Sequence, residues 1–181
     1  MKYQKQLDKL KSGNMSRSDI ARLKTNAEAL VAKGDEDARV VLEAINGSTP
    51  SDGYILFMGF CPNADFNQRE DIEWKREGTC RLDYPTNKSQ IGRWTTICPG
   101  DLIVLKKRET FGKTMKLYGH GRVKKIAYDD DIRYFEMDWS AQEQVIEVPL
   151  MACNATVDIK SMETVEAEMP EAFWNWLNSA A

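Results

Sequence analysis

Apolar residues in the first 47 positions recur at intervals of three and four, which is the spacing of one face of an α-helix. The pattern runs twice, and Gly34 and Asp35 separate the two runs as a helix end and a helix start. Ser16 and Asp19 have the spacing of a capping box before the first run. We therefore predict a helical hairpin over residues 1–47. Its buried stripe would comprise Ile20, Leu23, Ala27, Leu30, Val31, Ala38, Val41, Leu42 and Ile45.

After a linker rich in Gly, Ser and Pro at residues 47–53, the pattern changes to short apolar runs that are typical of strands. The first run is dense enough for a strand covered on both faces. A later pair surrounds a loop in which Gly112 is free to adopt a left-handed conformation, so we predict a β-hairpin. The predicted strands lie at residues 54–60, 102–105, 117–126, 132–139 and 144–150, with a short helix or ordered loop at 66–84 and a final helix from Pro170.

Five or six short strands with few long connections predict an α+β fold, in which residues 53–181 form a small, strongly bent β-barrel with flanking helices. The helical hairpin of residues 1–47 would precede this barrel. It has three alternative roles: packing on the barrel, forming a homodimer with a second copy, or binding another partner. Ligands of such barrels tend to bind at the mouth, where loops converge.

The composition limits which metal sites, enzyme classes and membrane segments this chain can contain. His120 is the only histidine and the four cysteines are widely separated without a Cys-x-x-Cys pair, so we expect no metal site and no cofactor. One histidine also excludes an HNH-type nuclease. No apolar run approaches the roughly 20 residues that span a bilayer, and the first residues lack a signal-peptide core. We expect a cytoplasmic protein with reduced thiols and no membrane partner.

Charge is concentrated in the predicted β-hairpin. Residues 101–127 contain eight basic and two acidic side chains, although the whole chain has a net charge of −3. Such a cationic segment on an acidic protein is typical of a phosphate-binding surface, while the alternative is a solvated hairpin whose lysines protect an edge strand. The predicted phosphate-binding residues are Lys106, Lys107, Arg108, Lys113, Lys116, Arg122, Lys124 and Lys125.

The order of features over residues 53–150 resembles the PUA-like superfamily, with its EVE, ASCH and YTH branches as the nearest relatives. An apolar first strand ends in a loop with Asn63, Trp94 precedes a Pro99-Gly100-Asp101 turn and an apolar strand, and the return strand contains Gly119-His120-Gly121. Phe60-Cys61-Pro62-Asn63 stands where EVE domains commonly have Asn-Pro-Lys. The resemblance implies nucleic-acid binding, with one modified base held in an aromatic pocket, and a link to bacterial systems that restrict modified DNA.

A pocket for a flipped base needs flat apolar walls and polar groups for the Watson–Crick edge of the base. We predict Phe60, Trp74 and Trp94 as walls, with the core of the domain as the alternative position of each ring. The predicted polar and lining residues are Asn63, Asp65, Arg93, Tyr118 and His120.

These residues predict a nucleic-acid-binding domain, with DNA favoured over RNA, that senses a modified base and is not itself an enzyme. An RNA-binding module of the PUA or ASCH type is one alternative. A metal-dependent nuclease is the other, because Asp138, Asp158 and Lys160 loosely match the spacing of two acids and a lysine that bind Mg²⁺.

Overall fold

A computed structural model of the chain describes residues 2–12, 15–46, 53–62, 65–82, 88–109, 112–141 and 143–179. These residues form an α+β structure, which confirms the α+β part of the predicted fold class. The helices are α1 Gln4–Lys11, α2 Arg17–Val31, α3 Glu36–Asn46, α4 Asp71–Glu77, α5 Lys88–Thr96, α6 Met162–Glu168 and α7 Glu171–Asn178. The strands are β1 Tyr54–Gly59, β2 Thr79–Cys80, β3 Leu102–Arg108, β4 Thr114–Asp129, β5 Ile132–Trp139, β6 Ile146–Pro149 and β7 Val157–Ser161. Within these ranges, no helix is both long and apolar enough to cross a membrane.

The strands form one mixed sheet in the order β2-β5-β4-β3-β1-β7, and β6 pairs with the first part of β4. The β1–β3 pair is parallel, and the other pairs are antiparallel. A barrel requires the two outer strands to close on each other. In the part of the chain that the structure describes, β2 pairs with β5 and β7 pairs with β1, and the sheet is neither closed nor strongly curled. The structure therefore does not show the predicted barrel.

Helices cover both faces of the sheet, because alternate residues of the central strands are apolar on both sides. Phe57 of β1 packs with Phe173 and Trp176 of α7 on one face. Leu56, the neighbour of Phe57, packs on the other face with Trp74 of α4. This arrangement confirms that the first strand is covered on both faces and that the final helix docks on the body of the protein.

The N-terminal helices have a core of their own, to which α1, α2 and α3 all contribute. Both predicted helix starts are confirmed: the Ser16 hydroxyl accepts from the Asp19 amide at 3.2 Å, and the Asp35 carboxylate accepts from the Ala38 amide at 3.3 Å. Helix α1 is an addition to the predicted hairpin. We call α1–α3 the helical module and the rest the sheet body. The linker at residues 47–52 lies outside the described residues, so the domain boundary stays a prediction.

The Pro-Gly-Asp turn joins the helical module to the sheet body. Gly100 adopts φ +88°, and the turn places the Asp101 carboxylate where it accepts from the backbone amides of Cys98 at 2.8 Å and Tyr54 at 3.1 Å. The same carboxylate accepts two hydrogen bonds from the Arg17 guanidinium of α2, at 2.8 and 2.6 Å. Beside this pair lies an open cleft of about 460 Å³ between the two parts, with Ile20 on one side and Ile97 on the other.

Candidate functional site

A β-bulge in β4 determines which predicted pocket residues can meet. The register with β3 shifts between Leu105 and Lys106, so Tyr118 is an extra residue in β4, and Gly119 adopts φ +153°. In a regular strand Tyr118 and His120 would share a face. The bulge instead places Tyr118 with Phe60 on the α4 side and His120 beside Trp176 on the α7 side. The predicted pocket cannot contain both.

Tyr118 belongs to a group of aromatic and cationic side chains at the end of β1. Its ring lies 5.0 Å from that of Phe60 and 5.7 Å from that of Phe66. The Arg69 guanidinium carbon lies 5.1–5.4 Å from the centres of all three rings, and the Lys107 ammonium lies 5.0 Å from the Phe66 ring. We call Phe60, Phe66, Arg69, Lys107 and Tyr118 the aromatic corner.

Helix α4 fixes the position of the Arg69 guanidinium. Asp71, in the first turn of α4, is buried and accepts two hydrogen bonds from Arg69, at 2.9 and 2.6 Å. The loop before α4 is tied to β1, because the Glu70 amide donates to the Phe60 carbonyl at 3.0 Å. These hydrogen bonds with Asp71 raise the pKa of Arg69. The guanidinium is therefore held as a fixed cation against the three rings.

Phe66 is the open ring of the corner. It is 39% exposed, whereas Phe60 is only 1% exposed and forms the support behind it. Two cations, Arg69 and Lys107, lie close to the ring, which favours contact with a flat π system that carries negative charge nearby. Sequence reasoning missed Phe66 and Arg69 as site residues. The signal that could have found them is an exposed aromatic and an arginine three residues apart in the loop after a buried strand.

Four of the predicted phosphate-binding residues surround the end of the β3–β4 hairpin next to this corner. Lys107 and Lys116 are cross-strand neighbours, and both contact the Glu109 carboxylate, at 3.6 and 3.7 Å. Arg108 and Lys113 are exposed. We call Lys107, Arg108, Lys113 and Lys116 the basic tip. A small cavity of about 270 Å³ lies beside it and is lined by Phe60, Lys107, Arg108 and Thr156 among others.

Lys106 does not belong to the basic tip, contrary to the prediction. Its side chain is 4% exposed, and its ammonium donates to the Asp158 carboxylate at 3.0 Å and to the carbonyls of Cys153 and Ala155 at 2.7 and 2.6 Å. Arg93, a predicted pocket residue, donates to the same carboxylate at 3.0 Å. Burial lowers the pKa of Lys106. Both cations help to hold β7 in place, and Lys106 is buried away from any ligand, whereas the Arg93 side chain is 37% exposed.

All three predicted pocket walls, Phe60, Trp74 and Trp94, are core residues. Trp74 and Trp94 are 3% and 4% exposed, so neither indole offers a face to a base. Trp94 packs 4.2 Å from Phe135, and its indole nitrogen donates to the Arg133 carbonyl at 3.3 Å. The burial of both rings corresponds to the alternative stated above for each wall residue.

The two remaining polar candidates lie in the loop after β1. The Asp65 carboxylate accepts from the Asn67 amide at 2.9 Å, which is a local turn contact. Asn63 lies outside the described residues.

The remaining basic residues lie far along β4 from the tip. Nine residues separate Lys116 from Lys125, which corresponds to about 30 Å of strand. Lys124 is exposed, Lys125 pairs with Glu136 at 3.1 Å, and the Arg122 guanidinium donates to the Gly100 carbonyl at 3.0 Å. The basic residues of the predicted cationic segment therefore form two separate groups.

The residues of the nuclease alternative are not brought together. Asp138 lies on β5, while Asp158 and Lys160 lie on β7, and strands β4, β3 and β1 stand between β5 and β7. The Asp158 carboxylate is also occupied by Lys106 and Arg93. Among the described residues, no group of three His, Cys, Asp or Glu side chains could hold a metal ion.

The cysteines show no sign of activation as nucleophiles. All four are free thiols. Burial raises the pKa of Cys153 to about 11, and it also raises the pKa of Cys98 and Cys61. These three thiols therefore stay protonated at neutral pH, whereas a nucleophilic cysteine has a lowered pKa.

Comparison with known proteins gives no relative from which a function could be transferred. No protein-family model, no curated protein and no solved structure matches this chain.

Proposed function

We propose that the protein binds nucleic acid at the aromatic corner and the basic tip. The observation that carries the proposal is the open Phe66 ring, which has two cations close to its centre, Arg69 at 5.1 Å and Lys107 at 5.0 Å. A base that stacks on an aromatic ring gains about 1–3 kcal/mol. The phosphates on either side of that base would then lie against lysines and arginines, which is the common division between base contacts and backbone contacts.

The geometry supports this assignment in two further ways. The Arg69 guanidinium is already held by Asp71, so little side-chain entropy is lost when a base stacks beside it. The basic tip is confined to one end of an otherwise acidic protein, so phosphates are attracted to that end.

The finer parts of the proposal are supported by the resemblance to the PUA-like superfamily. They are a bent barrel of that type, recognition of a modified base, DNA rather than RNA as the natural polymer, and a cytoplasmic role in a bacterial restriction system whose nuclease is another domain or partner. Because Trp74 and Trp94 are buried, the base would be received by Phe66 and Tyr118 at the aromatic corner.

Fluorescence anisotropy with short labelled oligonucleotides tests the backbone contacts. Arg108→Glu/Lys113→Glu should weaken binding to all sequences, and each lost phosphate contact should lower the slope of log K against log salt by about 0.9 on duplex DNA. Lys5→Glu/Lys9→Glu changes the net charge equally on exposed positions of α1 and is the matched control. Equal loss in both double variants, or no binding at low salt, would overturn the proposal.

Phe66→Leu tests base stacking, because it keeps an apolar side chain and removes the π face. We expect binding to single strands to fall by about 5- to 150-fold. The titration should include DNA and RNA strands with plain, methylated and hydroxymethylated bases. A preference for one modified base that disappears in Phe66→Leu would support the finer proposal. Tighter binding to plain RNA than to any DNA would replace DNA by RNA.

A further inference from the structure

A second cavity lies on the opposite face of the sheet from the aromatic corner. It has a volume of about 440 Å³ and lies between the face of β3–β5 and helices α6 and α7. Leu102 and Met162 contribute to an apolar floor. The polar and aromatic residues around this floor include His120, Arg122, Asp138, Ser140, Trp174 and Asn178. The exposed lining is more polar than that of most small-molecule pockets, and the volume lies within their usual range of roughly 300–1,000 Å³.

His120 is the most informative residue of this cavity. The residue is 8% exposed, and in the part of the chain that the structure describes its Nε2 atom has no hydrogen-bond partner. Trp176 fixes the imidazole in an edge contact, with ring centres 4.8 Å apart and ring planes at 68°. The Trp176 indole is itself held, because its nitrogen donates to the Gln144 carbonyl at 2.7 Å. A buried polar atom without a partner is rare in folded proteins, so the His120 Nε2 atom needs an explanation, and a bound ligand is one.

The charge of the cavity favours a neutral ligand. Arg122 and Asp138 are directly opposite each other on β4 and β5, so one cation and one anion stand at the same rim. Burial, Arg122 and Lys75 lower the pKa of His120, so the imidazole is neutral at pH 7 and has one donor and one acceptor nitrogen. A phosphate would meet the Asp138 carboxylate here, in contrast to the basic tip.

The half-buried Trp174 indole provides a flat wall for the cavity. It packs against Phe173 with ring centres 5.1 Å apart at 78°, so its orientation is fixed by the core. The carboxylate of Asp138 can accept from an exocyclic amine, and the guanidinium of Arg122 can donate to a ring carbonyl or ring nitrogen. A stacking wall combined with groups of both hydrogen-bonding types matches the edge of a nucleobase.

We propose that this cavity binds a neutral, planar heterocycle of nucleobase size, as the free base or nucleoside, at a site separate from the nucleic-acid surface. The ring would stack on Trp174, the Asp138 carboxylate and Arg122 guanidinium would bind its edge, and the His120 imidazole would form the inner end of the site. This inference does not rest on the proposed function, because no residue is shared between the two sites.

Titration calorimetry of the full chain with adenosine, guanosine, cytidine and uridine tests the proposal. A further titration with adenosine 5′-monophosphate shows whether a phosphate group changes the affinity. We expect at least one nucleoside to bind, with its affinity reduced by about tenfold or more in Asp138→Asn and in Trp174→Leu. Asp138 is exposed, so Asp138→Asn should fold normally. The ¹⁵N chemical shifts of the His120 ring should change on binding, which a purely structural imidazole would not show.

Tyr128→Leu is the matched control, because it removes an exposed aromatic ring that belongs to neither site and should leave nucleoside affinity unchanged. Three outcomes would overturn the proposal. They are no binding of any of the four nucleosides at millimolar concentration, affinity in Asp138→Asn and Trp174→Leu equal to that of the unchanged chain, or an equal loss of affinity in Tyr128→Leu. Tighter binding of the monophosphate than of adenosine would contradict a neutral ligand.

Discussion

The Arg17 guanidinium and the Asp101 carboxylate form a buried ion pair, with two hydrogen bonds of 2.8 and 2.6 Å, that connects the first turn of α2 to the turn before β3. Arg17 also donates to the Thr96 carbonyl at 2.6 Å and lies 4.2 Å from the Tyr54 ring. The contact therefore joins the helical module to three separate parts of the sheet body. It gives the Pro-Gly-Asp turn a structural role in addition to its place in the resemblance.

Removal of the cation from this pair should be costly. Arg17→Met leaves the Asp101 carboxylate buried without its main partner, and we expect a loss of about 3–5 kcal/mol in the free energy of unfolding. Arg22→Met breaks an exposed pair with Asp19 in the same helix and should cost at most about 1 kcal/mol. Urea unfolding of both variants measures the difference. Equal effects would mean that the junction is not stabilised by the buried pair.

Two glycines should respond to alanine in opposite directions. At Gly121 a Cβ would lie 2.7 Å from Trp139 Cε3 and 2.8 Å from the Asp138 carbonyl, so β4 and β5 would have to separate. At Gly92, in the middle of α5, nothing lies within 4 Å. We expect Gly121→Ala to destabilise the protein and Gly92→Ala to stabilise it by about 0.5–1 kcal/mol, as measured by thermal unfolding. A neutral Gly121→Ala would contradict the close strand contact.

Lys106→Met should lower the stability of the protein without changing its affinity for oligonucleotides. It leaves Asp158 with Arg93 as its remaining cation, so the free energy of unfolding should fall by up to about 3–5 kcal/mol. Because Lys106 is buried, the folded variant should bind oligonucleotides as the unchanged chain does. Lys107→Met should show the reverse pattern, with weaker binding and a small change in stability. Weaker binding by folded Lys106→Met would return this lysine to the phosphate-binding surface.

The stability of the protein should depend on the protonation of His120. Its folded pKa is below the ordinary value of 6.5, so the unfolded chain binds more protons between the folded pKa and pH 6.5. The His120 contribution is therefore present above about pH 6.5 and is lost as the pH falls toward the folded pKa. His120→Asn should flatten this part of the profile. Urea unfolding from pH 7.5 to pH 5 measures it, and parallel profiles would contradict a buried neutral imidazole.

The homodimer remains a prediction that the helical module makes testable. An apolar groove of about 410 Å³ lies on this module and is lined by Leu23, Ala27, Leu30 and Val41. If a second copy occupies it, light scattering should show a dimer that Leu30→Lys converts to a monomer, while Lys33→Glu has no effect. A monomeric full chain at high concentration would contradict the dimer.

Local patterns predicted most elements of this fold, because periodicity and capping act over a few residues. The strand at residues 132–139, the helix starts at Ser16 and Asp35 and the covered first strand are all confirmed. Helices α5 and α6 and strands β2 and β7 were missed. Gly92, Thr95 and Thr96 weaken the helical pattern of α5, and β7 is short and contains two charged residues.

The arrangement of the site was harder to predict, because it depends on contacts between distant segments. Nothing in the sequence near Lys106 shows that Asp158, 52 residues later, neutralises it. The sequence also gives no sign of the one-residue bulge at Tyr118, and this bulge alone places Tyr118 and His120 on different faces of the sheet. Burial of Trp74 and Trp94 depends on the sheet that they cover, so spacing alone did not distinguish a wall from a core position.

The separate core of the helical module has a consequence for how the protein unfolds. The core of α1–α3 shares no residue with either interior of the sheet body among the residues that the structure describes, and a cleft opens between the two beside Arg17. Loss of one guanidinium would then release three helices as a unit while the sheet keeps its own interior intact. The molecule would then unfold in two stages, and the helices of α1–α3 would separate before the sheet loses its interior.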